Sequence, residues 1–347
     1  MQAQRKLLDA QRWHFQHGPI DLVIGADGDA AALASAHAAA WQRFEQILPE
    51  LVQELPQLRL AVSSSPADCP LQGPVARRMW QACQPFANDF ITPMAAVAGS
   101  VAQEIIACYQ RPGIARAWVN NGGDIAMHLT PGQSLKVGLY ADIARLDVAQ
   151  LQDQLLLDGQ FSVDAAMPVR GVATSGWRGR SFSMGIADSV TVLAETAAAA
   201  DAAATVIANA VDVPDARIVR RPACELKDDS DLGEMVVTVD VPPLEPKLVQ
   251  QALHAGLLRA QALQRAGLIW SAALVCQRQL LVTDTAEPEL ARRTVEDREV
   301  SIHRGHTGLD PVSMQSVSWI ADQVRNDSHF KPFPSPLESP QAGAVFA

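Results

Sequence analysis

The five cysteines of the 347-residue chain, Cys69, Cys83, Cys108, Cys224 and Cys276, lie far apart, form no Cys-x-x-Cys pair and are odd in number. That spacing argues against both a disulfide framework and a zinc site, so a reducing cytoplasm is the expected setting. Basic charge is also scarce: 28 Lys and Arg stand against 38 Asp and Glu, a formal net charge of −10. No stretch concentrates cations into a phosphate-tracking stripe, which argues against a nucleic-acid partner. Long apolar runs are missing too. None reaches the ~18 residues of a membrane span, and the opening MQAQRKLLDAQRWHF is polar where a signal peptide would carry its apolar core. A soluble, unexported protein with no membrane partner is expected. A Gly-x-Ser-x-Gly elbow, a Walker loop, a His-Glu-x-x-His helix and a dinucleotide fingerprint are all lacking. The eight histidines are scattered without partners in sequence and read as surface or core residues.

What is present is enough apolar material, 48% of the residues, to bury a sizeable core. PIDLVIG (19–25) alternates as a strand does, and Asp29 to about Leu48 has helical spacing before Pro49. QLRLAVS (57–63) reads as another strand, followed by a proline-punctuated loop and a helix through Trp80 to Cys83. MAAVAGSVAQEIIACYQ (94–110) reads as a helix stopped by Arg111-Pro112-Gly113. ARAWVNNGGDIAMHL (115–129) and SLKVGLYA (134–141) read as the arms of a hairpin turning at Pro131-Gly132, with a linker over about 144–165. RGVATSG, RSFSMGIAD and DSVTVLAE read as short strands, TAAAADAAATVIANAV (196–211) as a close-packed helix, and EMVVTVDV (234–241) as a strand. A helix over 248–267 and one or two strands over 268–284 complete the pattern. Helices and hairpins mix without strict alternation, so the fold class is α+β, mainly antiparallel sheets with packed helices. Residues 1–284 form the domain; 285–347, rich in charge, Pro and Ser, read as a tail, extended or partly disordered.

Four segments combine small residues with polar groups that have no evident structural duty. In TPMAAVAGS (92–100) a loop enters a helix, where free amides would suit an anion and carbonyls a cation; a tightly packed helix start fits equally well. In VNNGGDI (119–125) two glycines interrupt a strand pattern, and Asn120, Asn121 and Asp124 flank Gly122 and Gly123. Close approach of a ligand explains this, and so does a hairpin bulge. GVATSGWRGRSFS (171–183) sets Thr174, Ser175, Arg178, Arg180 and Ser183 around Gly176 and Gly179, a loop able to hold phosphate or simply a β-hairpin with solvated arginines. In ADAAAT (200–205), Asp201 and Thr205 share one helix face a turn apart. With a carbonyl from another loop they would make part of an oxygen shell for Mg²⁺; alone, the spacing also fits an exposed helix face.

Taken in order, TPMAAVAGSVAQEI, NNGGDIAMHL, ATSGWRGRSFSMGIADSVTVLA and ADAAATVIANAV resemble the signature blocks of the UPF0280 (DUF375) family. The likeness is close over about residues 90–211 and extends more weakly from the first strand to about 284. That family is similar in fold to the ApbE flavin transferases, which move FMN from FAD onto a protein threonine using Mg²⁺. The resemblance implies an ApbE-like fold. It further implies Asp201, Thr205 and a carbonyl at about Ala96 as metal ligands, with Asn121, Gly122, Gly123, Asp124, Thr174, Ser175, Gly176, Arg178, Arg180 and Ser183 around a cofactor. One departure stands out. The transferases carry a longer hairpin, with a histidine and an Asp-Pro-x-Thr-Gly segment, where this chain has only WRGRSFSMGIA (177–187).

Three readings follow. The first is a Mg²⁺-assisted transferase, or related enzyme, acting on a flavin, pterin or other phosphorylated nucleotide-like ligand, but not a standard FAD:protein FMN transferase. The second is a non-catalytic cofactor binder or carrier. The third is a structural subunit of a homo-oligomer whose small-residue helices are interfaces; a homo-oligomer is expected in any case.

Overall fold

The computed structural model describes residues 2–9, 12–63, 69–139, 159–179 and 181–283, all belonging to one compact unit. The expected tail, 285–347, lies outside the described residues. The chain opens with β1 (Gln4–Leu7), β2 (Arg12–His17) and β3 (Ile20–Gly28), then α1 (Ala30–Gln53), α2 (Leu55–Leu58) and α3 (Pro74–Cys83). A 3-10 turn, Pro93–Ala96, leads directly into α4 (Val97–Ile106), and β4 (Ile114–Asn121), β5 (Asp124–Leu129) and β6 (Ser134–Leu139) follow. Next come β7 (Gly159–Asp164), β8 (Gly171–Ser175), β9 (Ser189–Ala194) and α5 (Ala197–Ala210). The last described elements are β10 (Val219–Pro222), α6 (Ala223–Leu226), β11 (Val236–Asp240), α7 (Pro246–Arg265), β12 (Ser271–Cys276) and β13 (Gln279–Val282).

Nine strands make one sheet in the order β1-β2-β3-β4-β5-β8-β9-β12-β13, while β6 pairs with β7 and β10 with β11. Each of these pairings is antiparallel, as the α+β reading expects. Strand alternation divides the large sheet into two faces. Leu22, Ile24, Val119, Ala126, Ala173, Val190, Val192 and Leu274 share the face that packs on the helices. Val23, Trp118, Met127, Val172 and Leu193 are buried on the other face.

The alanines of α5 are consumed inside the chain. Ala197, Ala198, Ala200, Ala202, Ala203, Ala204 and Ala208 are buried, which removes the composition argument that this helix is an intersubunit surface. Glycines set how closely it lies. A Cβ on Gly171 would stand 2.2 Å from the Ala197 nitrogen and the Thr196 carbonyl carbon, and one on Gly99 would stand 2.3 Å from the Ala197 carbonyl oxygen. The start of α5 thus rests on bare backbone of both β8 and α4.

Several expected elements differ. Residues 57–63 form no strand: Leu58 ends α2, and Leu58 and Val62 are buried while Leu60 is exposed. A loop crossing a core produces the same alternation as a strand. Residues 181–188 are irregular because their backbone bonds are shared among several elements: Met184 N–H donates to the Asn209 side chain of α5, Ile186 N–H to the Val211 carbonyl that caps it, and Asp188 N–H to Val275 of β12. The Pro131-Gly132 turn forms, but β6 then leaves the large sheet and pairs with β7, which lies inside the expected linker. The hairpin arms are instead β4 and β5. Helix α1 continues past Pro49 to Gln53, giving up one hydrogen bond in exchange for burying Leu51. The polar opening, read in sequence only as unlike a signal peptide, supplies β1 and β2.

Glu104 ties three helices together. It accepts from Arg43 Nε of α1 at 2.6 Å and from Arg78 Nη1 of α3 at 2.8 Å. Burial alone would raise its carboxyl, but the hydrogen bonds from Arg43 and Arg78 outweigh burial and hold it below the ordinary value. A depressed carboxyl contributes stability above its unfolded pKa that is lost as pH falls through the folded one. Glu104→Gln should therefore cost about 1–3 kcal/mol at pH 7, with the gap to the parent narrowing below about pH 4, as read by denaturant melts at both pH values. Gly171→Ala should cost at least ~1–3 kcal/mol, because only backbone stands in the way of its methyl group; a melting temperature equal to the parent's would contradict that packing.

Candidate functional site

The β4–β5 hairpin turns on two residues, Gly122 and Gly123, with Asn121 facing Asp124 across the ladder. Both glycines have positive φ, +67° and +113°, the backbone that such a tight turn demands. The glycine pair is thus accounted for by the turn itself, and Asn120 secures it by accepting from Gly123 N–H at 2.8 Å. What the turn accomplishes is placement: Asn121 and Asp124 come out side by side on the helix face of the sheet.

Both reach toward the start of α4. Asn121 Nδ2 donates to the Ala98 carbonyl at 3.1 Å, and Asp124, buried, accepts from Thr174 N–H at 3.1 Å and hydrogen-bonds the Asp201 carboxyl. Asp201 comes from α5 on the opposite side and accepts from Gly99 N–H at 2.8 Å and from the Ala98 amide. It serves as the missing cap of α4, whose own N-cap residue, Ala96, has no side chain able to do so. The amides of 98 and 99 are therefore spent on a protein carboxylate, which argues against the anion reading of this helix start, while the close approach of Gly99 to Ala197 fits a tightly packed one.

Two carboxyls facing each other in a partly buried centre cannot both stay ionised without a compensating charge. Burial, and then the charge and hydrogen bond of Asp124, push the Asp201 carboxyl well above the usual range, against the pull of the Gly99 and Ala98 amides. Beneath lies Cys83, fully buried, its thiol pushed up by burial and by the charge of Asp201.

The remaining expected residues divide by position. Thr205 sits one turn along α5 from Asp201 and is partly exposed, and Ala96 is buried at the end of the 3-10 turn just before Ala98. Ser175 lies on the helix face with Asp124, since it pairs with Val190 of that face. Thr174 is on the other face, where its hydroxyl meets that of Thr191 at 2.9 Å; only its backbone amide reaches the carboxylates. Gly176 lets the chain pass the Asp188 carbonyl, which a Cβ would meet at 2.4 Å. Arg178 is exposed, its guanidinium 4.7 Å from the centre of the Trp177 ring. Arg180 lies outside the described residues. Ser183 is buried elsewhere: it donates to Asn209 Oδ1 at 3.0 Å and accepts from Gly185 N–H, near the far end of α5. Asn209 is eight residues beyond Asp201, about 12 Å along a helix, so Ser183 does not join the carboxylates.

Sequence reasoning included Ala98 only as the end of the stretch offering a carbonyl, and it passed over the Gly99 amide and the Thr92 hydroxyl. Thr92 donates its hydroxyl to Asp231 Oδ2 at 2.5 Å, a pairing 139 positions apart with no local signal to reveal it. Among the described residues no group of three His, Cys, Asp or Glu side chains converges on a point. A cation here would need carbonyls, hydroxyl and water besides the two carboxylates, a donor set of hard oxygens that suits Mg²⁺. An open depression lined by Arg111, Gly113, His128 and Thr130 lies at the other end of the β4–β5 hairpin, about 20 Å from Asp124 at strand rise, and takes no part in this centre. Among the described residues no helix is long and apolar enough to cross a membrane.

Comparison with known proteins places the chain in a family. The family model described as "AbpE bacteria" matches residues 5–285. A UPF0280 protein of Methanopyrus kandleri is 34% identical over 254 residues, covering 70% of this chain and 94% of its own length. Another, from Methanothermobacter thermautotrophicus, is 38% identical over 159 residues, 46% of this chain and 57% of its own. Among solved structures, the flavinyl transferase ApbE of Pseudomonas stutzeri is similar over 82% of this chain and 96% of its own, with a TM-score of 0.39 and 13% identity. Matched by the family model through its last described strand, and spanning nearly the whole of a relative at one-third identity, the chain belongs to the UPF0280 family of ApbE-like proteins.

Proposed function

We propose that the Asp124/Asp201 centre takes up Mg²⁺ and through it holds the phosphate of a flavin, pterin or other nucleotide-like cofactor. The observation that carries this reading is the meeting of two hydrogen-bonded carboxyls, Asp124 from β5 and Asp201 from α5, beside the first turn of α4, an oxygen-rich arrangement that suits a divalent cation. Asp201 and Asp124 would supply charge, Thr205 its hydroxyl and Ala96 a carbonyl, with Asn121 fixing the adjoining Ala98 carbonyl. Bound there, the ion would screen phosphate charge and polarise its P–O bonds. Ser175 stands on the same face, and exposed Arg178 follows it within three residues as a partner for the outer phosphate oxygens. A transfer reaction on such a ligand is the enzymatic form of this reading, and retention without turnover is the carrier form. Native mass spectrometry of the purified protein, looking for retained flavin, pterin or nucleotide, identifies the ligand.

Because a raised carboxyl is protonated more readily in the folded chain than in the unfolded one, metal-free stability should fall as pH rises from about 4 toward the raised value. Mg²⁺ should restore it, so the Mg²⁺-dependent gain grows with pH and binding releases a proton. Asp124→Asn should leave metal-free stability equal or higher at pH 8, since it removes the repulsion, while abolishing a gain of about 2.7 kcal/mol expected at a hundredfold excess over the dissociation constant. Thermal melts with and without Mg²⁺ measure both. Equal Mg²⁺ gains in the two proteins would make the pair purely structural.

The family departure generates a further expectation. With WRGRSFSMGIA in place of the longer hairpin, the groups that would set FAD against an acceptor threonine have no counterparts. Incubation with FAD, Mg²⁺ and a threonine-containing acceptor peptide should yield no covalent flavin. Flavinylated peptide, absent with Asp201→Asn, would show that the short loop suffices.

A further inference from the structure

The turn that leads into α4 is held from a distant part of the chain. Thr92, 2% exposed, occupies the position from which a threonine ordinarily accepts a hydrogen bond from the first amides of its own helix. It does not do so. Ala95 N–H goes to the Thr92 backbone carbonyl at 3.1 Å, leaving the hydroxyl to donate to Asp231 Oδ2. The same carbonyl accepts the Cys83 thiol at 3.3 Å, and Cys83 lies close enough to Asp201 to feel its charge. Thr92 thus opens the turn that runs on to Ala98 and Gly99, the residues bonded to Asn121 and Asp201, and Asp231 is bonded to Thr92.

Asp231 belongs to the arm formed by β10, α6 and β11, and its tip is internally tied. Ser230 N–H donates to the Lys227 carbonyl, Leu232 N–H to the Ser230 hydroxyl and Cys224 N–H to the Gly233 carbonyl. The base is tied as well: Thr238 N–H and hydroxyl donate to the carbonyls of Ser183 and Met184 at 2.8 and 3.3 Å. A second tether, Arg59 to Asp229 at 2.7 Å, is solvent-exposed and so contributes little. The Thr92–Asp231 bond is the arm's buried grip on the turn. Residues 92–99 are therefore clamped at both ends by carboxylates, Asp231 at Thr92 and Asp201 at the amides of Ala98 and Gly99, with Ala96 between them.

We propose that Asp231 is a positioning residue for the cation centre: by fixing Thr92 it sets where the carbonyls of the 93–96 turn stand, and cation affinity depends on the arm through that bond. The inference rests on the reading of Asp124 and Asp201 as a Mg²⁺ site. Outer groups of this kind commonly change metal affinity 10- to 100-fold.

The test uses the full chain, with Mg²⁺ affinity measured by calorimetry and hydrogen exchange of the amides of residues 95–99 measured without metal. Asp231→Ala and Thr92→Val should each weaken Mg²⁺ about tenfold or more and speed exchange in the turn. The double variant should be no weaker than either single one, because both remove the same bond. Asp231→Asn and Thr92→Ser, which keep an acceptor and a donor, should restore most of the affinity. Wild-type affinity in Asp231→Ala, additive losses in the double variant, or an Asn variant as weak as Ala would overturn the role of Asp231 while leaving the cation site standing. Absence of Mg²⁺ binding by the parent protein would overturn the site itself, and the inference with it.

Discussion

The contact between Asp201 and the first turn of α4 is the constraint from which the rest of the centre follows. A helix that starts with Val97 and an alanine cap leaves its first amides without acceptors, and burying them unpaired would cost as much as a lost hydrogen bond for each. Asp201 meets that need from another helix, which is possible only if α5 comes within a hydrogen bond of α4. Gly99 and Gly171 make that approach possible on two sides. The same approach carries Asp201 up to Asp124, fixed in the sheet by the Gly122-Gly123 turn. A structural requirement and a raised carboxyl thus share one side chain: Asp201 caps α4 and meets Asp124 with the same group.

That double duty decides how variants at Asp201 are to be read. Removing its charge also uncaps α4, so loss of binding and loss of stability travel together there. Asp124 separates them more cleanly. It accepts from Thr174 N–H, and an asparagine oxygen accepts that bond as well.

How much of this was legible in the sequence depends on whether a signal is local. The Gly122-Gly123 turn, the alanine helix and the Asp201/Thr205 register all rest on residues within a few positions of one another, and local chemistry marks them. Strand parity was legible in principle: Thr174 and Ser175 are neighbours and must point to opposite faces, so they cannot both meet Asp124 with their side chains. Ser183 could not be placed, because its partner Asn209 comes from the end of a helix 26 residues on. The alternation of 57–63 misled for a related reason, since burial of Leu58 and Val62 says that a core is near but not that a neighbouring strand is available. Thr92 and Asp231 lie further still beyond reach, as nothing in either segment names the other.

The short loop after Ser175 makes the same point about function. Its length is not a simple excision from an otherwise free hairpin, because residues 183–186 are built into the end of α5: Ser183 and Met184 bond Asn209, Gly185 lies against the Ala208 carbonyl, and Ile186 bonds Val211. Ahead of that anchorage Trp177 N–H donates to the Ala187 carbonyl, and Arg178 is exposed with its guanidinium over the Trp177 ring. The carboxylate centre hangs on the opposite end of the same helix, through Asp201 and the amides of Ala98 and Gly99, so α5 fixes the loop and the centre relative to each other.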